Sequence, residues 1–235
     1  MTKFAIFAHA RSGSTSLAQV LAASPDVNMT IEPFHPDYSK WNPEEPNYSS
    51  IIKDTDSMNK ALDEIYSKFN AIKVLQYQFP DEIYLELLKR REIKIIFLRR
   101  KDFLNGVISG LIAEQTNVWK KEDAKGEINY SKLKPLNVKQ AKKMLDYVSE
   151  QMEFYENFLE KNRKGDYFKQ YYEDLYSENQ QENIQTVKRI CDFLGIRLPS
   201  EDVIAKNMIP SQAQINANGD YRKIPNYNEF VDALS

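Results

Sequence analysis

The sequence predicts an α/β fold: three layers, α/β/α, around a central parallel sheet. Three observations carry that prediction. Short apolar runs recur along the chain without internal alternation, as strands buried on both faces require. Amphipathic helical segments separate them, and strand–helix alternation favours a parallel sheet covered on both sides. The clearest run, IKIIFLRR at 93–100, passes directly into a helical pattern, the order of a strand–crossover–strand unit.

Each element has its own justification. Residues 3–9, KFAIFAH, form an apolar run that ends in a turn, and residues 14–23 follow as a helix with Leu17, Val20 and Leu21 on one face. Pro25 ends that helix. VNMTIE, 27–32, reads as a second strand. Residues 33–56 hold Pro33, Pro36, Pro43 and Pro46 with Trp41, Tyr38 and Tyr48; a long ordered loop of this kind is usually functional. A helix over 57–69 leads to the strand AIKVLQYQ, a helix over 81–91 leads to IKIIFLRR, and a further helix spans 102–118. A polar insertion occupies 119–135. Val138, Ala141, Leu145, Val148, Met152, Tyr155 and Leu159 then alternate at three and four, one long amphipathic helix that Gly165 stops. DYFKQYYEDL holds the last strand, and ENIQTVKRICDFLGI is a helix with Ile184, Val187, Ile190, Cys191 and Leu194 inward. The tail from Pro199 reads as irregular and polar. One domain over 1–235 is expected.

Composition narrows the function classes. The 235 residues carry 32 basic and 34 acidic side chains, a formal net charge of −2. No global basic field recruits nucleic acid or a membrane surface. Cys191 is the single cysteine, so no internal disulfide forms. No run approaches the roughly 18 apolar residues of a membrane span, and the N-terminal MTKFAIFAHARSG reads as a strand rather than a secretion signal. A cytoplasmic protein is expected, a monomer or a homodimer.

The turn after the first strand, FAHARSGSTSLAQVL, has the shape of a phosphate-binding loop. Laid on the spacing G-x-x-x-x-G-K-[ST], Gly13 and Thr15 match, Ala8 replaces the first glycine and Ser14 replaces the lysine. The clamp on β and γ phosphates is therefore missing. An anion cradle remains, which makes the expected architecture P-loop-like. Gly13 permits the tight turn, and the amides of residues 12–16 open a helix N-terminus. Ser12, Ser14, Thr15 and Ser16 add hydroxyls, and Arg11 supplies a planar cation suited to an oxyanion. A second basic element is FLRRKDFLNGVISG: Arg99 and Arg100 end a strand, and Ser109 lies on the following helix. Carboxyl ends of parallel strands are where such sheets bind ligands, and an arginine with a serine can grip one phosphate.

Together these stretches resemble the 3′-phosphoadenylyl sulfate (PAPS)-dependent sulfotransferases, in particular the bacterial and carbohydrate-type branch. AHARSGSTSL is similar to the family's 5′-phosphosulfate loop, and FLRRKDFLNGVIS to its 3′-phosphate element. YYEDLYSENQQENIQTVKRICDFLGI resembles the Y-E-D-L helix that ends in C-x-F-L-G, and NGDYRKIPNY at 218–227 the C-terminal basic loop that closes over the co-substrate. Ala10 departs from a common proline, and Ser109 stands nine positions after Arg100 and ten after Arg99. Either arginine is therefore a candidate for the 3′-phosphate.

The resemblance implies sulfuryl transfer from PAPS to an acceptor hydroxyl on a sugar, glycolipid or small metabolite, with adenosine 3′,5′-bisphosphate as product. No metal is expected, since no strand ends in a metal-binding aspartate and no ligand cluster stands out. Arg11 would meet charge on the leaving phosphate. Ser12, Gly13, Ser14, Thr15 and Ser16 would hold the 5′-phosphate, while Arg99 or Arg100, Ser109, Arg222 and Lys223 would hold the 3′ end. Glu32, in TIEPFHP, is the preferred general base and His35 the alternative. Segments 33–56 and 119–135 would shape the acceptor site, and 199–235 would close over the co-substrate. A P-loop-like kinase and a catalytically inert nucleotide-binding module are the competing readings.

Overall fold

Five strands form one parallel sheet in the order β2-β3-β1-β4-β5. They are β1 (Lys3–Ala8), β2 (Met29–Ile31), β3 (Ala71–Leu75), β4 (Ile93–Arg99) and β5 (Tyr167–Tyr171). The computed structural model describes residues 1–119, 128–213 and 220–234, the side chains of 212 and 213 apart. Residues 120–127 of the expected insertion, and 214–219 and 235 of the expected closing segment, lie outside the described residues.

The α/β/α layering follows from side-chain alternation. Ala5, Phe7, Ile72, Val74, Ile95 and Phe97 point to one face, where they meet α4 (Thr55–Lys68), α5 (Asp81–Lys89) and α7 (Val138–Asn162). Phe4, Ile6, Ala8, Ala71, Ile96 and Leu98 point to the other, against α1 (Ser14–Ala22), α9 (Gln180–Leu194) and α10 (Glu201–Met208). β1 is completely buried from Phe4 to Ala8, as the central strand of a doubly covered sheet must be. The α7 stripe is core, with Ala141, Met152, Tyr155 and Leu159 buried. A third apolar cluster joins α6 (Phe103–Thr116), Tyr130, Leu136 and the C-terminal Ile224 and Phe230.

Two readings of the sequence need correction. The tail from Pro199 is not irregular: it forms α10, α11 (Pro210–Ala213) and α12 (Tyr227–Asp232). Ile204 and Met208 bury against α1 and α9, and Phe230 against α6. Helices this short have almost no intrinsic stability, so docking rather than pattern makes them. Segment 33–56 likewise contains two single turns, α2 (Tyr38–Trp41) and α3 (Tyr48–Ile51), pinned by buried Phe34, Tyr38 and Tyr48. The YEDL stretch forms one more, α8 (Tyr172–Leu175).

The topology fixes where a ligand would sit. The connection from β1 crosses to β2 on one side, and that from β3 crosses to β4 on the other. The crevice at the carboxyl end of β1 is thus the switch point of the sheet. The ends of β2, β3 and β4 surround it.

Candidate active site

The turn 9–13 is shaped by backbone strain and one close approach. Arg11 has φ 62° and Gly13 φ 75°. A Cβ at Gly13 would lie 2.5 Å from Tyr176 Cε2, so only glycine fits. The Tyr176 hydroxyl donates to the Gly13 carbonyl and lies against Ser16. Ser12 is fully buried and donates to the His9 carbonyl at 2.7 Å; it shapes the turn from inside. Ser14 starts α1 and is buried, while Thr15 points its hydroxyl toward β3. Neither a side-chain cap nor an acidic first-turn residue occupies the α1 N-terminus. That arrangement favours an external anion.

His9 locks the turn to β4. Its Nδ1 faces the Ala10 carbonyl at 2.7 Å and its Nε2 accepts from the Arg100 amide at 3.1 Å. Burial pushes its pKa down to about 3, and Arg100 and Arg99 push the same way. The ring is therefore neutral, with its proton on Nδ1.

The structure separates the two strand-end arginines. Arg100 Nε donates to the Arg11 carbonyl at 2.9 Å, and its guanidinium lies 3.8 Å over the Tyr172 ring. Arg99 points to the opposite face, where it pairs with Glu156 and covers Phe103. Strand alternation makes the two mutually exclusive for one site. The linear sequence left the choice open; the pleat assigns Arg100 to the turn.

Arg11 joins the two basic elements. Its Nε donates to Ser109 Oγ at 3.0 Å and its Nη1 to the Trp119 carbonyl at 2.8 Å. Burial holds the guanidinium below its usual range, and Arg100 adds to that effect against Tyr221. Among the described residues no carboxylate forms a salt bridge with Arg11 or Arg100. Two adjacent, largely buried cations without a paired carboxylate suit a polyanion. Glu173 of α8 steadies the second element: its carboxylate accepts from the Lys101 amide at 2.8 Å and the Asp102 amide at 3.3 Å.

Glu32 directly follows β2 in a second strained conformation, φ 54°. Its carboxylate pairs with Lys73 and lies 3.5 Å from Gln78 Nε2. Lys73 is 1% exposed and donates to Thr15 Oγ1 at 3.4 Å. Lys73 thus contacts two of the candidate residues, Thr15 and Glu32, and the sequence reading did not name it. A buried lysine from β3 stands beside the loop, and only strand pairing reveals it: Ile6 of β1 lies opposite Lys73. A lysine inside the apolar run AIKVLQYQ was the available signal.

The remaining candidates sit further out. His35 stacks on Trp41 at 4.6 Å, and its Nδ1 accepts from the Asp37 amide at 3.1 Å. Its backbone closes a turn on the Glu32 carbonyl at 2.9 Å, so the pair flanks Glu32. Tyr77 flanks it from the β3 side, half exposed, its phenol pushed up to about 12 by burial and the Glu32 carboxylate. Arg222 and Lys223 are exposed, and Arg222 pairs with Asp220 at 2.8 Å. Their neighbour Tyr221 packs on Tyr130, with ring centres 5.9 Å apart.

Neither a family model nor a curated protein matches the sequence. Among solved structures, mouse sulfotransferase SULT7A1 complexed with PAP is similar, with TM-score 0.48 and 14% identity over 99% of this chain and 82% of that one. No helix among the described residues is long and apolar enough to cross a membrane.

Proposed function

We propose that the protein transfers a sulfuryl group from PAPS to an acceptor hydroxyl. The observation that carries this reading is the bridge from Arg11 to Ser109 at 3.0 Å, which brings the two basic elements together; among the described residues no carboxylate forms a salt bridge with Arg11 or Arg100. A donor with phosphate at both ends of a nucleoside needs such a pair of adjoining anion sites.

In this reading the α1 amides, Ser14 and Thr15 bind the 5′-phosphate, and Ser109 and Arg100 face the 3′-phosphate. Arg222 and Lys223 approach from the C-terminal segment. Glu32 accepts the acceptor's hydroxyl proton as its oxygen bonds to sulfur. The bond from sulfur to the bridging oxygen breaks, and Arg11 takes up charge on the departing phosphate. His35 and Tyr77 flank the base, where a sugar, glycolipid or small metabolite would enter. His35 is the alternative base.

Calorimetric titration with adenosine 3′,5′-bisphosphate, set against ATP with magnesium, tests the reading. Bisphosphate binding without metal, weakened at least tenfold by Arg11→Ala, is the expected result. Binding of ATP with magnesium alone would favour a kinase. Bisphosphate binding with no sulfuryl transfer to any hydroxyl acceptor would favour an inert nucleotide module.

A further inference from the structure

Lys73 has two kinds of partner at once. Its ammonium is sealed beneath the turn, donates to Thr15 at 3.4 Å and pairs with Glu32. A buried cation requires an anion, and here the anion is the residue proposed as base. The hold is one-sided: among the described residues the other Glu32 oxygen has the long 3.5 Å contact with Gln78 and no cation. Thr15 belongs to the anion cradle of α1, so a negative group arriving there comes within reach of the same ammonium.

We propose that Lys73 is shared between Glu32 and the donor's sulfuryl oxygens, so that binding PAPS frees the base. The inference rests on the PAPS reading of the turn. Before the donor binds, Lys73 holds Glu32 and the carboxylate does not abstract protons. The arriving sulfuryl group, a second anion beside one cation, draws Lys73 toward it. Glu32 is then released toward the acceptor hydroxyl. The proton passes from that hydroxyl to Glu32, the acceptor oxygen bonds to sulfur, and the bridging S–O bond breaks with its electrons going to the bisphosphate. Once the sulfuryl group has left with the acceptor, Lys73 returns to Glu32, which loses its proton to solvent.

Sharing has a sign that a purely structural ion pair lacks. Glu32 and the sulfuryl group compete for Lys73, so they are negatively linked. Neutralising Glu32 must strengthen donor binding while abolishing turnover. PAPS and adenosine 3′,5′-bisphosphate differ by the sulfuryl group alone, so their comparison isolates the effect. Calorimetry with both ligands on wild type, Glu32→Gln and Lys73→Met is the test. Glu32→Gln is expected to tighten PAPS by about three- to tenfold, the scale of one charge-assisted contact, and to tighten the bisphosphate, which lacks the sulfuryl oxygens, by less; equal tightening of both ligands overturns the sharing. Lys73→Met is expected to erase the difference between the two ligands. Glu32→Gln keeps the buried lysine and serves even if Lys73→Met does not fold. Unchanged or weaker PAPS binding in Glu32→Gln, with bisphosphate bound normally, overturns the sharing and leaves the PAPS reading intact. Failure of wild type to bind bisphosphate removes both.

Discussion

The two ends of the sheet treat buried polar groups in opposite ways. At the amino end, Arg163 is 1% exposed and donates to the carbonyls of Leu88, Arg90 and Ile93 and to Asp166. Asn70 is buried there too, and joins Asn28, Thr2 and Asp26. Charge and donors are used up inside the protein. At the carboxyl end, Arg11 has a hydroxyl and a carbonyl as partners, Arg100 has a carbonyl and an aromatic ring, and Arg11 and Glu32 sit in left-handed backbone. Conformations of that kind cost about 1–3 kcal/mol each and gather at functional sites. The difference lies in the arginines: Arg163 has its neutralising carboxylate in Asp166, whereas among the described residues Arg11 and Arg100 form no salt bridge with a carboxylate.

Substitutions can sharpen or break this contrast. The largest effect is expected from Arg163→Ala, which strips a charge partner from Asp166 and donors from three carbonyls. It should cost about 3–5 kcal/mol of stability, read as a fall in denaturation midpoint, with no change in bisphosphate affinity per folded molecule. Arg11→Ala should show the reverse: turnover falling by about 10²–10³-fold, the scale for losing one oxyanion donor, with thermal stability nearly unchanged. Equal destabilisation by the two variants would erase the distinction.

His9 gives a pH-dependent test. Its folded pKa, about 3, lies below the ordinary 6.5. The unfolded chain therefore binds more protons between those values, and stability falls as pH drops through that window. By pH 4 the loss from His9 alone is about 3 kcal/mol. His9→Gln should flatten the stability curve between pH 4 and 6.5, measured by urea denaturation at each pH; an unchanged slope would place the acid sensitivity elsewhere. The smallest effect is expected from Ser109→Ala. Loss of one hydrogen bond, about 1 kcal/mol, should weaken bisphosphate binding by roughly fivefold and leave folding intact.

Much of the fold was legible in order and kind. β1, β3 and β4 were readable because strands covered on both faces write themselves as near-continuous apolar runs. The α7 stripe was readable because a long helix repeats its period. The tail was not, since α10 and α12 exist through docking of Ile204, Met208 and Phe230. Among the candidate site residues, Arg11 and Gly13 could be named because local turn chemistry marks them, and Glu32 from its place at a strand end and from the family resemblance. Lys73 could not, because nothing in AIKVLQYQ says which strand lies beside it.

The sequence by itself determined the glycine-marked turn after the first strand, the order of the five strands and their main helices, and the presence of two strand-end arginines followed by a helix serine. Tertiary structure alone decided that Arg100 faces the turn while Arg99 goes to Glu156, that Arg11 meets Ser109, and that a buried lysine from β3 stands between Thr15 and Glu32. The reason is physical. Turn and helix preferences act over a few neighbouring residues. Which side chains share a crevice is set by strand pairing, pleat and burial, which act between residues far apart in the chain.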